Sequence, residues 1–146
     1  MKWRGWWTPL VFGVLAVAWT WPAAMSGNMV GRHFDLPGTV WFLDAASRFG
    51  SGGEDTLTGW PTGARYARLD SFVLLVASHI CQWVPPARAH ALWQVLGVAG
   101  SAWAAEAFAR ALGARAPWSL LGGVAFGLSG LAATALTEGH VYHVMD

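Results

Sequence analysis

Chemistry-bearing side chains gather in two short stretches of this 146-residue chain. The first is Arg32-His33-Phe34-Asp35-Leu36-Pro37-Gly38-Thr39, where a carboxylate follows a long charge-free run by only a few residues. The second, Glu138-Gly139-His140-Val141-Tyr142-His143, follows a later apolar run. An ionisable group at the lip of a bilayer is costly to keep there, so Asp35 is read as functional, against the alternative of a solvated loop aspartate. Carboxylate oxygens suit magnesium or manganese and imidazoles suit several transition metals, so Asp35, His140 and His143 form a candidate divalent-cation site. A helical continuation past residue 137 sets His140 and His143 on one face, whereas an extended exit sets Glu138 and His140 on one side. Both geometries need the first loop to fold back over the end of the last apolar run. The competing reading is a histidine-rich cap that solvates a helix end.

The elements that must position these groups are apolar. Hydrophobic residues make up 55% of the chain and charged residues 12%, where a soluble domain carries about a quarter charged. Eleven Trp and 18 Gly fit membrane helices, because Trp collects at membrane interfaces and small residues let helices approach closely in lipid. A net charge of +1 argues against a nucleic-acid partner, and the single Cys81 cannot close an internal disulfide.

Residues 5–31 carry no charge, enough to cross a hydrocarbon core of about 30 Å at about 1.5 Å per residue. Lys2 and Arg4 precede the run and place its start in the cytoplasm. A cleaved signal peptide is the competing reading, with Ala23, Ala24, Ser26 and Gly27 as the small residues. The polar segment 26–68 has no sustained apolar period, and a loop of that length is functional or disordered. Within it Val40, Trp41, Leu43, Ala45 and Ala46, bounded by Gly38 and Gly50, predict a short helix against the membrane surface, with Asp44 and Arg48 as an i,i+4 pair. The glycine-rich run from Gly50 to Asp55 reads as a linker or a mobile lid.

Residues 69–84 settle the expected topology. Their unbroken apolar core is only 72–77 before Pro85-Pro86, which suits an interfacial helix better than a span. The expected order is therefore a span over about 8–27, an outer loop over 28–88 with an interfacial helix at about 69–84, and spans over about 89–112 and 116–137. Arg110 and Arg115 then fall in a short cytoplasmic loop, as the charge rule requires, and Glu106 with Arg110 forms a favourable i,i+4 pair. Counting 69–84 as a full span reverses those placements. Gly97, Ser101 and Ala105 in one span, and Gly123 with Gly127 in the next, predict close helix approach. Gly-rich phosphate loops, paired-cysteine metal motifs and Gly-x-Ser-x-Gly elbows do not occur.

This order, with an early aspartate in the outer loop and two spans joined by Arg-Ala-Leu-Gly-Ala-Arg, resembles the N-terminal part of GT-C superfamily glycosyltransferases. The run Ala107-Phe-Ala-Arg-Ala-Leu-Gly-Ala-Arg115 and the following Leu120-Leu-Gly-Gly-Val-Ala-Phe-Gly-Leu-Ser-Gly130 look most like the bacterial membrane proteins of the YfhO family. The resemblance implies an all-α, polytopic protein of the bacterial inner membrane, in keeping with the three transmembrane helices, one interfacial helix and cytoplasmic N-terminus read from the residues. It also implies transfer of a sugar from a polyprenyl-phosphate-linked donor on the outer face. By position the superfamily's acidic residue maps onto Asp35, as general base or as ligand of Mg2+ or Mn2+ beside the phosphate leaving group, with Asp44 as the second choice. Glu138 and His140 become its partners, and Arg32 either meets the lipid phosphate through charge-assisted bonds or serves as an interfacial anchor. Two departures stand out: Asp35 lacks an adjacent acidic neighbour, and the three expected spans are fewer than the superfamily's cavity needs, so the chain reads as a fragment. The alternative function is a non-enzymatic membrane scaffold or assembly protein whose outer loop binds a partner.

Overall fold

The computed structural model of the chain describes residues 7–21, 25, 36–49, 54–55, 64–65, 76, 79–130 and 132–134. Four helices carry the architecture: α1 (Thr8–Trp19), α2 (Leu36–Phe49), α3 (Pro86–Ala111) and α4 (Ala116–Gly127). The one ribbon among the described residues pairs β1 (Glu54–Asp55) with β2 (Ala64–Arg65) antiparallel, Glu54 opposite Arg65. Two residues per strand make no layer, so the class is all-α. The ribbon lies where the sequence predicts only a linker or lid.

Each helix is bounded by local chemistry. Proline stands in the first turn of α1, α3 and α4, where its missing N–H is no loss and its fixed φ suits the helix. Thr20 ends α1 by donating its hydroxyl to the Ala16 carbonyl at 2.8 Å. Gly113, with φ +94°, ends α3. Its N–H donates to Arg110 O at 2.9 Å, and the Ala114 N–H donates to Ala109 O at 3.0 Å. These bonds form a Schellman motif, which needs the left-handed residue that glycine supplies without penalty. The reversal is short, so α4 returns antiparallel against α3.

Helix α3 is the centre of the packing and touches α4 most extensively, then α1, then α2. Its 26 residues span about 39 Å at about 1.5 Å per residue. Three rows of side chains at four-residue spacing are buried: Thr8, Phe12, Ala16 and Thr20 on α1 and just after it; His90, Gln94, Val98, Ala102 and Glu106 on α3; Ser119, Gly123 and Gly127 on α4. Residues four apart share a helix face, so each helix turns one continuous row inward. Gly123 and Gly127 make the close approach expected of them. A Cβ at 123 would lie 2.6 Å from both the Ala102 carbonyl oxygen and Phe12 Cζ. One at 127 would lie 2.9 Å from Ala102 Cα. On α3, however, the residue these glycines meet is Ala102, not the predicted row of Gly97, Ser101 and Ala105. That row lies one position round the helix, where Ser101 and Ala105 are only half-buried.

Phe12 meets Gly123, whereas Ala16 clusters with Ala91 and Val98 and packs against Trp19, Val95 and Leu128. So α1 runs antiparallel to α3, and α4 runs antiparallel to α3 and parallel to α1. The end of α1, the start of α3 and the end of α4 therefore share one end of the bundle. The predicted short helix exists as α2, longer than the 40–46 core, and reaches past Gly38 to Leu36. Most of the predicted interfacial helix at 69–84 lies outside the described residues; its last part turns through residues 81–83 before Pro85. Ala116–Thr134, 19 residues with mean hydropathy 1.3, is the one helical stretch among the described residues that is long and apolar enough to cross a membrane.

Candidate functional site

Asp35, Arg32, Glu138, His140 and His143 all lie outside the described residues. What is described is the scaffold on either side of them. Asp35 directly precedes Leu36, the first residue of α2, and Glu138 follows the stretch that ends at Thr134, at the bundle end where α3 starts. Among the described residues no group of three or more His, Cys, Asp or Glu side chains is placed to hold a metal ion.

Helix α2 packs against α3, and its Leu43 and Ala45 are buried. Between the two helices is a cleft of about 490 Å³ lined by Val40, Trp41, Asp44, Arg48, Pro85, Pro86 and Ala87. The pair predicted from i,i+4 spacing is bidentate. Arg48 Nε donates to Asp44 Oδ1 at 3.1 Å, and Arg48 Nη2 reaches Asp44 Oδ2 at 2.9 Å. Arg48 is 67% exposed and Asp44 30%. Burial pushes the Cys81 thiol pKa above its ordinary value, and the nearby Asp44 carboxylate raises it further by disfavouring a thiolate.

A second polar site lies at the opposite end, on the inward row of α3. Glu106 is fully buried, and its Oε1 sits 2.8 Å from Arg110 Nε and 3.4 Å from the Ser119 hydroxyl of α4. The Arg110 N–H is not aimed at that oxygen, so the contact is an ion pair rather than an aligned hydrogen bond. Glu106 Oε2 has no hydrogen-bond partner among the described residues. Sequence spacing found the Glu106–Arg110 pair, but not its burial or the contribution of Ser119. Further along the row, His90 and Gln94 are also fully buried, their Nε2 atoms 3.4 Å apart. That approach suits a Gln94 amide donating to an unprotonated His90 nitrogen. Sequence reading missed both residues, although their four-residue spacing with Val98, Ala102 and Glu106 was a usable signal.

The outer surface has the reverse character. Leu10, Val14 and Trp21 on and after α1, Leu96 and Phe108 on α3, and Trp118, Leu121 and Phe126 on α4 are all more than half exposed. A groove of about 710 Å³ runs along α1 and is lined by apolar groups including Leu10, Gly13, Val17 and Trp21. The inward rows are thus mostly small or polar, with Phe12 and Val98 as their large apolar members, while many large apolar residues face outward. No family model, curated protein or solved structure matches the chain.

Proposed function

We propose that this chain is a multi-pass helical bundle of the bacterial inner membrane, with its N-terminus in the cytoplasm. The supporting observation is the inverted surface. In water, a protein exposing so many large apolar side chains on the outward faces of α1, α3 and α4 would aggregate, whereas in lipid such residues are the solvated ones. Small residues then pack the helices, and polar groups turn toward the interior. The apolar stretch 116–134 argues the same way: a soluble protein's core helix passes the same hydropathy test while mostly buried, but only 18% of this window is buried. The shared end of α1, α3 and α4 favours the topology in which residues 69–84 do not cross, since a crossing there would start α3 at the opposite end. Cysteine at Ser51 in a Cys81-free background should react with an impermeant reagent from outside, and cysteine at Ala114 should not. Strong outside labelling at 114 overturns the topology.

Within that frame the activity proposed is glycosyl transfer from a polyprenyl-phosphate-linked donor, with Asp35 as general base or Mg2+ or Mn2+ ligand and Glu138, His140 and His143 beside it. This reading rests on the resemblance to GT-C glycosyltransferases and on the gathering of the flanking elements at one end. The test is sugar transfer by membranes containing the protein, with Asp35→Asn as the variant. Asn and Asp cap a helix about equally well at the position before its first residue, so the variant preserves any contribution of residue 35 to starting α2 at Leu36. Loss of a general base should lower turnover by about 10²- to 10⁴-fold. Turnover near that of the parent would show Asp35 to be a loop residue.

A further inference from the structure

We propose that the cleft between α2 and the start of α3 binds a phosphate group carried on a lipid. Asp44 occupies one edge of the Arg48 guanidinium through two contacts at 3.1 and 2.9 Å. That grip uses Nε and Nη2 and leaves the Nη1 edge, with N–H donors to spare, on a side chain that lines the cleft. A guanidinium held this way is already oriented, so less entropy is lost when its remaining donors meet an anion. Asp44 therefore acts as a positioning residue. Val40, Trp41 and the two prolines supply apolar walls for the glycerol or isoprenoid portion next to the phosphate. Ala87, in the first turn of α3, also lines the cleft, and no side chain caps that helix start among the described residues, so the local backbone dipole favours an anion as well. Trp21 and Trp83, 63% and 86% exposed, follow α1 and precede α3 at this same end. They mark the depth at which lipid headgroups lie.

The inference rests on the membrane reading above, and the test separates the two. The full chain in nonionic detergent is measured by native mass spectrometry for retention of phosphatidic acid against phosphatidylcholine. Inorganic phosphate is the competitor, and Arg48→Gln and Arg115→Gln are the variants. Phosphatidic acid should be retained in preference, and Arg48→Gln should lower that retention about tenfold, the scale of one lost charge-assisted hydrogen bond. Arg115→Gln, at the opposite end of α3, should leave it unchanged. Competition by millimolar inorganic phosphate would keep the anion site but assign it to a soluble ligand. Equal losses in both variants, or retention unaffected by Arg48→Gln, overturn the proposal. Asp44→Asn gives the positioning test: weaker retention, despite the loss of a negative charge beside the anion, supports orientation of Arg48 by Asp44, and unchanged or stronger retention refutes it. Folding is checked by circular dichroism, since an exposed i,i+4 pair contributes little to stability. Flotation with liposomes reads the membrane reading independently.

Discussion

Replacing Gly123 with Ala adds one methyl group at one of the closest helix approaches in the bundle. The new Cβ would sit 2.6 Å from the Ala102 carbonyl oxygen, 2.6 Å from Phe12 Cζ and 3.0 Å from Glu106 Cβ. None of the three can move aside easily. Ala102 O belongs to the facing backbone, and Phe12 and Glu106 are themselves fully buried. Forcing a methylene into such a site costs about 1–3 kcal/mol. Gly122 is the internal control, because a Cβ there meets nothing within 4 Å. Both changes lie in α4 and gain the same helix propensity, up to about 1 kcal/mol, so that term cancels in the comparison. The expected gap is therefore the overpacking cost alone, about 1–3 kcal/mol or roughly 5- to 150-fold in the folding equilibrium. Reversible unfolding in mixed micelles of nonionic detergent and dodecyl sulfate measures it, with Gly122→Ala at or above the parent and Gly123→Ala below. Coincident transitions for the two variants would refute the packing of α3 on α4.

Glu106→Gln should destabilise by about 1–3 kcal/mol, less than the 3–5 kcal/mol typical of breaking a buried pair, because Arg110 is 30% exposed and can turn toward water. Glu106→Gln with Arg110→Gln should recover part of that loss, and a double-mutant cycle with no coupling would show the pair to be energetically silent. Alkylation of Cys81 should follow a pH midpoint above that of a free thiol, about 8.5, because burial and the Asp44 carboxylate both hold the thiol protonated to higher pH. Asp44→Asn should lower that midpoint, and a parent midpoint at or below the free thiol would contradict the burial.

Several features were legible from the chain alone because they depend on near neighbours. The apolar segments read over about 8–27 and 116–137, described as helix over Thr8–Trp19 and along Ala116–Thr134, the i,i+4 pairs Asp44–Arg48 and Glu106–Arg110, and the short helix before Gly50 each follow from periodicity within a few turns. Which face of α3 turns inward was not legible. Its small residues recur on several sides, so Gly97, Ser101 and Ala105 made as good a row as the one containing Ala102. Only the approach of Gly123 and Gly127 from α4, with Phe12 from α1, selects Ala102. The same choice of face buries His90, Gln94 and Glu106, because polar groups on the row between three helices are covered whatever their type. The cleft beside Arg48 likewise needs two segments nearly forty residues apart to meet, α2 and the start of α3. Composition and local spacing determine that helices form and which pairs sit along one helix; burial, clefts and close approaches arise between helices, where each surface is fixed by a partner distant in sequence.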